Sequence, residues 1–290
     1  MIVLGFEDYK TQGERLADAL RLPFTLVQRH RFPDGEYRLT LPAELPQNII
    51  FCYSLDRPNE KLIELLLAAS SARRQGATEL TLVAPYLCYM RQDKAFHPGE
   101  VVSQPIIGSF LAELFDNVIT VDPHLHRVHH LSQAVPARQA VTLSATALMA
   151  EFLAGRFDNP LILGPDRESE QWVSEVAQPN QWQFGVCDKI RSGDRQVQIT
   201  LPDIDMAGRN IVLVDDVASS GRTLTVATEQ CIARKAKSVD VLVTHALFVN
   251  HAKQELLQAG AGHIWSTDSV EHDSNIIPLS PLLAEAIQKL

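Results

Sequence analysis

The stretch IVLVDDVASSGRT, residues 211–223, joins an apolar run to two adjacent aspartates and then to a turn of small residues. Ligands of open parallel sheets bind beyond the carboxyl ends of the strands, which is where Asp215 and Asp216 would lie. Backbone N–H groups at a glycine-containing turn that opens a helix can hold a phosphate. Because carboxylates cannot bind that phosphate, we expect the aspartates to accept from sugar hydroxyls or to face Mg²⁺.

The residues after the aspartates predict how a phosphate is held. We expect residues 218–223 to form the loop into the next helix, with hydroxyl donors at Ser219, Ser220 and Thr223. Gly221 would let the chain approach the ligand closely. Diol acceptors beside a phosphate turn predict a ribose 5-phosphate pocket. The alternative is a plain strand–turn–helix in which Asp216 only caps the helix.

Strand-like and helix-like stretches alternate along the whole chain, which favours an α/β fold of parallel sheets covered by helices. The stretch 59–77 places Leu62, Leu65, Leu66 and Ala69 on one helical face. A second helix is predicted in SATALMAEFLAG, with Ser144 as its N-cap. Strands are predicted at 48–54, 79–85, 117–122, 160–164, 182–187, 210–216 and 238–248.

A weak internal repeat indicates two similar halves. NVITVDPH at 117–124 and NIVLVDDV at 210–217 share an Asn, an apolar strand and a Val-Asp exit. We predict two domains, 1–143 and 144–290, with roughly the last dozen residues packing on the N-terminal domain. One continuous sheet with two similar strands is the alternative.

Composition and charge exclude several classes of protein. The formal net charge of −9 argues against broad nucleic-acid binding. No apolar run approaches the about 18 residues that span a bilayer, and no signal peptide is visible, so we expect no membrane partner. The four cysteines are scattered, which favours reduced thiols in a cytoplasmic protein.

Several separated motifs resemble those of a known family. VLVDDVASSGRT resembles the phosphoribosyl-pyrophosphate loop of the type I phosphoribosyltransferase fold. RFPDGEYRL (31–39), APYLCYMRQDKAFHPGEVVS (84–103) and VITVDPHLHR (118–127) resemble motifs of the ribose-phosphate pyrophosphokinase family. The dipeptide at 165–166 and DKIRSGDRQVQI (188–199) follow in the family's order and spacing, and the latter is similar to the archaeal-type loop.

The resemblance implies a fold and a reaction. The expected fold is two phosphoribosyltransferase-like (type I) domains, each a mainly parallel sheet flanked by helices. The expected reaction transfers the diphosphoryl group of MgATP to the anomeric hydroxyl of ribose 5-phosphate, giving phosphoribosyl pyrophosphate and AMP. The implied partners are ATP, ribose 5-phosphate and further copies of the chain, as a dimer, tetramer or hexamer.

The resemblance also implies two groups of ATP-binding residues. One group lies in the polar loop RQDK, and the other lies in FPDGE, where Asp-Gly by itself predicts only a turn. In the family the FPDGE segment reaches the adenine pocket of a neighbouring subunit, which makes the active site part of a subunit interface. The implied ATP-binding residues are Phe32, Asp34, Glu36, Arg91, Gln92 and Asp93.

Two basic residues are implied to be catalytic. Lys189 and Arg191 stand in a glycine-containing segment that could close over phosphates and exclude water. The resemblance implies that both stabilise the transition state. Taken alone, such a segment would be read as a basic surface hairpin.

A histidine-rich segment suggests a metal. Several histidines in VDPHLHR and after it first suggest zinc, although one histidine beside carboxylates also suits a Mg²⁺–nucleotide centre. The resemblance assigns metal contacts to His124 and Asp166. The other histidines, His126, His129 and His130, are expected at the surface or in packing.

Two departures from the family pattern leave alternatives open. Arg222 replaces a small residue in the phosphate loop, where it could contact phosphate or point to solvent. The turn Arg167-Glu168-Ser169 replaces small residues in the family's pyrophosphate-facing turn. A non-catalytic homologue that binds nucleotide and a nucleobase phosphoribosyltransferase are therefore the alternative functions.

Overall fold

The computed structural model of the protein describes residues 1–125, 127–192 and 196–290. Its internal contacts divide the chain into two compact units. The N-terminal unit comprises residues 1–143, 269–271 and 278–290, and the C-terminal unit comprises residues 144–268 and 272–277.

The N-terminal unit is built on a six-stranded parallel sheet and a separate hairpin. Its helices are α1 (Lys10–Leu20), α2 (Pro58–Arg74), α3 (Ser103–Leu114) and α4 (Leu131–Ala134), with a 3-10 turn at Glu7–Tyr9. Its strands are β1 (Ile2–Gly5), β2 (Phe24–Leu26), β3 (Gln28–Arg31), β4 (Tyr37–Thr40), β5 (Asn48–Cys52), β6 (Glu79–Val83), β7 (Asn117–Val121) and β8 (Gln139–Leu143). The sheet order is β2-β1-β5-β6-β7-β8, and β3 pairs with β4 in an antiparallel hairpin.

Apolar patterning explains these elements. The central strands are buried almost throughout because a parallel sheet is covered on both faces. Leu62, Leu65 and Ala69 of α2 are buried as predicted, whereas Leu66 is only half-buried. Gly76 follows α2 with a φ of 99°, the left-handed conformation that ends helices.

The C-terminal unit repeats this plan. Its helices are α5 (Thr146–Ala154), α6 (Glu170–Ala177), α7 (Arg222–Ala233) and α8 (Ala252–Gln258), with 3-10 turns at Arg167–Ser169 and Gln178–Asn180. Its strands are β9 (Leu161–Gly164), β10 (Phe184–Val186), β11 (Asp188–Ser192), β12 (Gln196–Thr200), β13 (Asn210–Ala218), β14 (Ser238–Ala246), β15 (Ile264–Thr267) and β16 (Asn275–Ile277). The sheet order is β10-β9-β13-β14-β15-β16, and β11 pairs with β12.

The two units have equivalent strand orders, which corrects the predicted repeat. Counting across each sheet, β1 corresponds to β9, β5 to β13, and the hairpin β3–β4 to the hairpin β11–β12. The counterpart of 210–217 is therefore β5, and the pairing with 117–124 was wrong. Both segments are buried strands with an Asp at the exit, so local sequence could not separate them.

Two local predictions also need correction. Ala145, and not Ser144, directly precedes α5, although the Ser144 hydroxyl accepts from Thr146 N at 3.4 Å and bonds to the Thr146 hydroxyl at 3.0 Å. The loop expected at 218–223 is shorter than predicted. Strand β13 continues to Ala218 because it stays paired with β14 up to Ala246, and α7 already begins at Arg222.

The last helix, α9 (Ser280–Ile287), returns to the N-terminal unit, where it packs against α1. Its apolar residues Leu283, Ala284 and Ile287 are buried. None of the helices in the described ranges is long and apolar enough to cross a membrane. All four cysteines are buried free thiols, and burial raises the pKa of Cys88, Cys187 and Cys231 to about 12.

Candidate active site

The C-terminal unit has a crevice where its strand order reverses. From β9 the chain crosses to β10 on one side, whereas from β13 it crosses to β14 on the other. Ligands bind at such a reversal, beyond the carboxyl ends of the two strands. Asp166 follows β9, and Asp215 and Asp216 stand near the end of β13. The structure thus places the three predicted aspartates of this unit around one crevice.

The turn between β13 and α7 is held from one side through its carbonyl groups. Ala218 O accepts from Phe248 N at 2.9 Å, and Ser219 O accepts from Val249 N at 3.0 Å. Gly221 caps α7 with a φ of 67°, and its carbonyl accepts from Thr225 N at 2.8 Å. Since the first N–H groups of a helix lack intrahelical partners, the turn can present them to an anion.

Glycine is required at position 221 for two reasons. Its φ lies in the left-handed region, which strains other residues. An added Cβ would also stand 3.3 Å from the Cβ of Ala252 at the start of α8. Ser219 is half-buried and Ser220 is exposed in the turn, whereas the exposed Arg222 and half-buried Thr223 already belong to the first turn of α7.

The paired aspartates differ in burial, and the negative charge of each disfavours the negative charge of the other. Asp216 is 3% exposed, and Asp215, half-buried, accepts from the backbone N–H of Asp216 at 3.0 Å. Burial raises the pKa of Asp215 well above its ordinary value, and the charges of Asp216 and Asp166 raise it further. A bound hydroxyl donor or cation would relieve this repulsion.

Asp166 has a structural role of its own. Its carboxylate accepts from Glu168 N at 3.1 Å and so caps the 3-10 turn at Arg167–Ser169. Ser169 Oγ donates to Asp166 O at 2.6 Å, and a Cβ on Gly164 would overlap that hydroxyl. Arg167, in place of the family's small residues, donates to Asp188 Oδ1 at 2.5 Å. This pair ties the turn after β9 to the first residue of the β11–β12 hairpin.

The predicted catalytic residues lie on β11. The backbone of Lys189 is paired with Ile199, and that of Arg191 with Val197. The side chains of both residues lie outside the described part of the structure. The buried Ile199 anchors the hairpin, and its carbonyl accepts from Gln230 Nε2 of α7 at 2.7 Å.

In the N-terminal unit, FPDGE forms the tip of the β3–β4 hairpin. Phe32 N donates to Glu36 O at 2.8 Å, and Asp34 Oδ1 accepts from Glu36 N at 3.2 Å. Gly35 has a φ of 96°, so the predicted Asp-Gly turn is present. Phe32 is 37% exposed, and its ring makes a T-shaped contact with the ring of His30.

The RQDK loop follows β6 and is tethered at the start of α3. Gln104 Nε2 donates to Met90 O at 3.0 Å, and Gln104 N donates to Gln92 O at 3.2 Å. Arg91 is exposed in this loop. The Asp93 side chain is only 3% exposed, and its Oδ1 accepts from Arg127 at 2.8 Å.

Arg127 is a residue that sequence reasoning missed. It closes the motif VDPHLHR, and its bond to Asp93 joins the loop after β7 to the loop after β6. His124, half-buried, stands in the same loop, beyond the buried Asp122 at the end of β7. His126 lies outside the described residues. The side chains of the described ranges form no group of three or more His, Cys, Asp and Glu that could hold a metal ion.

The fold and the crevice together define a class. Each unit has a parallel sheet and helices, and the C-terminal unit adds a carboxylate pair beside a glycine turn at a helix start. That combination is typical of phosphoribosyltransferase-type domains. A family model described as the phosphoribosyl transferase domain matches residues 135–282.

The match of the first half identifies the family. A model described as the N-terminal domain of ribose phosphate pyrophosphokinase matches residues 1–116. A ribose-phosphate pyrophosphokinase from Methanopyrus kandleri is 33% identical over 294 residues, which cover 100% of this chain and 99% of that protein. One from Methanosarcina acetivorans is 29% identical over 291 residues, 100% of both. The chain belongs to the ribose-phosphate pyrophosphokinase family.

A solved structure agrees with the fold. Phosphoribosylpyrophosphate synthetase from Mycobacterium smegmatis matches with a TM-score of 0.84 at 19% identity, covering 99% of this chain and 97% of that one. The predicted fold class and the predicted family are therefore confirmed. The archaeal origin of the two relatives agrees with the archaeal-type pattern of residues 188–199.

Proposed function

We propose that this chain transfers the diphosphoryl group of ATP to the anomeric hydroxyl of ribose 5-phosphate, giving phosphoribosyl pyrophosphate and AMP. The observation that supports this most strongly is the crevice of the C-terminal unit in a chain whose two halves both match the family. Carboxylates for hydroxyls and a turn for phosphate are the complement of a sugar monophosphate.

Ribose 5-phosphate binds at the end of β13 in this proposal. The 5-phosphate is held by the N–H groups of the turn, with hydroxyl donors from its side chains. Asp215 and Asp216 accept from the ribose hydroxyls, which lowers the repulsion between the two carboxylates. The exposed Arg222 faces the phosphate. The proposed phosphate-binding residues are Ser219, Ser220, Gly221, Arg222 and Thr223.

ATP binds on loops of the N-terminal unit. Arg91 and Gln92 contact the nucleotide, whereas the predicted contact Asp93 has a side chain only 3% exposed and serves to hold the loop through its bond to Arg127. The exposed ring of Phe32 stacks on adenine, while Asp34 and Glu36 accept hydrogen bonds from the base. We infer that this hairpin serves the site of a neighbouring subunit, so that the active enzyme is a homo-oligomer.

The donor set suits magnesium (Mg²⁺) better than a closed protein cage. Mg²⁺ prefers oxygen ligands, keeps several waters and is commonly held by one or two carboxylates plus substrate phosphates. Asp166, Asp215 and Asp216 are oxygen donors whose mutual charge raises the pKa of Asp215, which is the repulsion that a divalent cation neutralises. Asp166 is the proposed metal contact of the C-terminal unit, and His124 is that of the N-terminal unit. When bound, the ion would neutralise charge on the transferring phosphates.

The transfer needs alignment and charge stabilisation more than covalent chemistry. The anomeric oxygen attacks the β-phosphorus and loses its proton to water, the bond from that phosphorus to the α,β-bridging oxygen breaks, and AMP leaves with the electron pair of that bond. Lys189 and Arg191 stabilise the charge that develops on the phosphoryl oxygens. Closure of their hairpin over the phosphates excludes water that would otherwise hydrolyse ATP.

The test is direct. Purified protein with MgATP and ribose 5-phosphate should give AMP and phosphoribosyl pyrophosphate in equal amounts, measured by chromatography. Omitting ribose 5-phosphate should abolish AMP formation. The absence of AMP at high enzyme concentration with both substrates would disprove the proposed activity.

A further inference from the structure

The β3–β4 hairpin, whose tip carries the predicted adenine-binding residues, is not part of the main sheet. It forms a two-stranded sheet of its own, paired from Gln28 with Thr40 to Arg31 with Tyr37. All four residues of β3 are exposed. Two-stranded hairpins are marginally stable alone in water. Contacts outside the hairpin must therefore fix its position.

The first such contact is a buried carboxylate on α2. The Glu64 side chain is 0% exposed, and Arg29 Nη1 of β3 donates to its Oε1 at 2.8 Å. Burying a carboxylate is costly unless it is paired and hydrogen-bonded. Glu64 receives a second bond from Tyr53 Oη at 2.8 Å. The Arg29–Glu64 pair is thus a well-supported link between the hairpin and the body of the unit.

Tyr53 connects this pair to the sheet. It directly follows β5, its ring stacks on Phe6 at 4.0 Å, and its hydroxyl also lies 3.0 Å from Asp8 Oδ1. Burial and the charges of Asp8 and Glu64 raise the pKa of Tyr53, so its hydroxyl keeps the proton that it donates. Asp8 Oδ1 lies 3.9 Å from Arg29 Nη1 and adds a second acid facing the guanidinium.

The second contact lies one helical turn earlier on α2. Glu60 accepts from Arg31 Nη2 at 3.2 Å and from Tyr37 Oη at 2.7 Å. Arg31 belongs to β3 and Tyr37 to β4, so one carboxylate holds both strands next to the tip. The guanidinium carbons of Arg29 and Arg31 lie 5.6 and 5.7 Å from the centre of the Tyr37 ring.

A cavity separates the hairpin from α2. Its volume is about 640 Å³, and Arg29, Arg31 and Tyr37 line it from the hairpin. Asp56, Arg57, Glu60 and Lys61 line it from the other side. Charged side chains therefore bridge the hairpin and α2 beside this cavity.

We propose that Glu64 and Glu60 are positioning residues that fix the β3–β4 hairpin so that Phe32, Asp34 and Glu36 meet the adenine of the donor nucleotide. This inference rests on the proposed function. Both glutamates act through Arg29, Arg31 and Tyr37. They set donor affinity and discrimination between bases, and leave ribose 5-phosphate binding unaffected.

The test compares Glu64→Gln with the unaltered protein. Glutamine keeps the size of the side chain but removes the charge that holds Arg29. We expect the KM for ATP to rise about tenfold, because a charge-assisted bond that aligns the binding group is lost. The KM for ribose 5-phosphate should stay within about twofold, and the preference in kcat/KM for ATP over GTP should fall about tenfold.

Arg73→Met is the matched control. Arg73 stands in the last turn of the same helix and donates to Asp116 at 2.6 Å, far along α2 from the hairpin. This variant also breaks an ion pair, one that is partly buried, and the thermal stability of both variants should be measured alongside the kinetics. If it raised the KM for ATP as much as Glu64→Gln, the effect would be general destabilisation and the proposal would be wrong. An unchanged KM and base preference in Glu64→Gln would overturn it equally.

Glu60→Gln guards against a Glu64 variant that fails to fold. The Glu60 side chain is 56% exposed, so its replacement leaves the core intact. We expect the same selective rise in the KM for ATP, about threefold, because the lost bonds are exposed. An unchanged value would count against the proposal.

Calorimetric titration of ATP into each variant separates this inference from the proposed reaction. If the unaltered protein bound ATP but formed no AMP, the proposed reaction would be disproved. Weaker ATP binding by Glu64→Gln than by Arg73→Met would still support the positioning role of Glu64 and Glu60. Equal ATP affinities in all variants, or no ATP binding by any of them, would overturn the proposed positioning role of Glu64 and Glu60.

Discussion

The crevice of the C-terminal unit and its counterpart in the N-terminal unit are built on the same strand order but are filled differently. The paired aspartates lie near the end of β13, and the small residues Ser219 to Gly221 follow the strand and leave backbone N–H groups for a ligand. After β5 come Tyr53, Ser54 and Asp56, and the ammonium of Lys61 enters from α2.

The positively charged side chain of Lys61 lies in the N-terminal crevice. Lys61 Nζ lies 2.7 Å from Asp56 Oδ1, 3.5 Å from Asp8 Oδ2 and 2.8 Å from Ser54 O. The C-terminal crevice thus brings several carboxylates close together, whereas the N-terminal crevice has an ammonium between its carboxylates. The comparison teaches that a few residues at the ends of two equivalent strands decide which charged groups one architecture places in its crevice.

The largest effect that would sharpen this comparison concerns the hairpin of the C-terminal unit. Lys189→Ala and Arg191→Ala should each lower kcat by about a thousandfold, because each removes a positive charge that we propose to stabilise the transition state. Ribose 5-phosphate affinity should remain nearly intact, as measured by calorimetry. Lys237→Ala, at the amino end of β14, is the matched control and should keep normal turnover. Near-normal turnover in Lys189→Ala would disprove the closing-hairpin mechanism.

The next effect is on stability and concerns the internal cation. Lys61→Met should lower the free energy of unfolding by about 3 kcal/mol, because it leaves Asp56 and Asp8 facing each other without the ammonium. Denaturant titration measures this value. Lys10→Met removes only an exposed pair with Glu14, so its effect should stay within about 0.5 kcal/mol. Equal losses in the two variants would show that the internal ion pairs of Lys61 contribute no more to the free energy of unfolding than an exposed pair does.

The pH dependence of stability should differ between the crevices. Asp215 has a raised pKa in the folded protein, so the folded state binds its proton more tightly than the unfolded state does. Stability without ligand should therefore fall as the pH rises above 3.8, the ordinary pKa of an aspartate, through the raised value. Asp215→Asn should flatten this part of the curve and raise the free energy of unfolding at pH 7 by about 1–3 kcal/mol.

That gain in stability should come with a loss of binding. Asp215→Asn removes a charged acceptor, so ribose 5-phosphate should bind about tenfold more weakly in calorimetry. The counterpart of Asp215 in the N-terminal unit is the uncharged Tyr53, which gives no such pH dependence near neutrality. A variant that is no more stable at pH 7 than the unaltered protein would contradict the repulsion between the carboxylates.

The smallest effect concerns the residue that caps each helix. Arg57 caps α2 with a φ of 48°, where α7 has Gly221 with a φ of 67°. A left-handed conformation costs a non-glycine residue about 1–2 kcal/mol. Arg57→Gly should therefore raise the free energy of unfolding by about 0.5–1 kcal/mol after the entropy cost of glycine. Gly221→Ala should change it in the opposite direction, and a loss of stability in Arg57→Gly would contradict this comparison.

Much of the fold was predictable because its signals are local. Alternating apolar runs predicted the strands, and the order of the separated motifs predicted the family, which is confirmed. The repeat was assigned to the wrong strand, because β5 and β7 both begin with Asn and read as buried strands. Only the pairing of strands across the sheet, which depends on distant residues, shows that β5 is the counterpart of β13.

The contacts by which α2 holds the β3–β4 hairpin could not be predicted from the sequence. Helical periodicity expects apolar residues on the buried face of α2, yet Lys61 and Glu64 lie there beside Leu62 and Leu65. Their partners come from three other places in the chain, which no local pattern brings together. Arg127 was missed for the same reason, since its partner Asp93 lies in another loop. The roles assigned to the site residues remain predictions.

The position of helix α9 in the chain determines when the N-terminal unit can complete its folding during synthesis. Residues 1–143 leave the ribosome first, but the N-terminal unit also contains residues 278–290, which follow the whole C-terminal unit. Until that last segment emerges, the face of α1 that receives α9 is exposed to water. The unit made first is thus completed last, and the nascent chain carries an open apolar surface through most of translation.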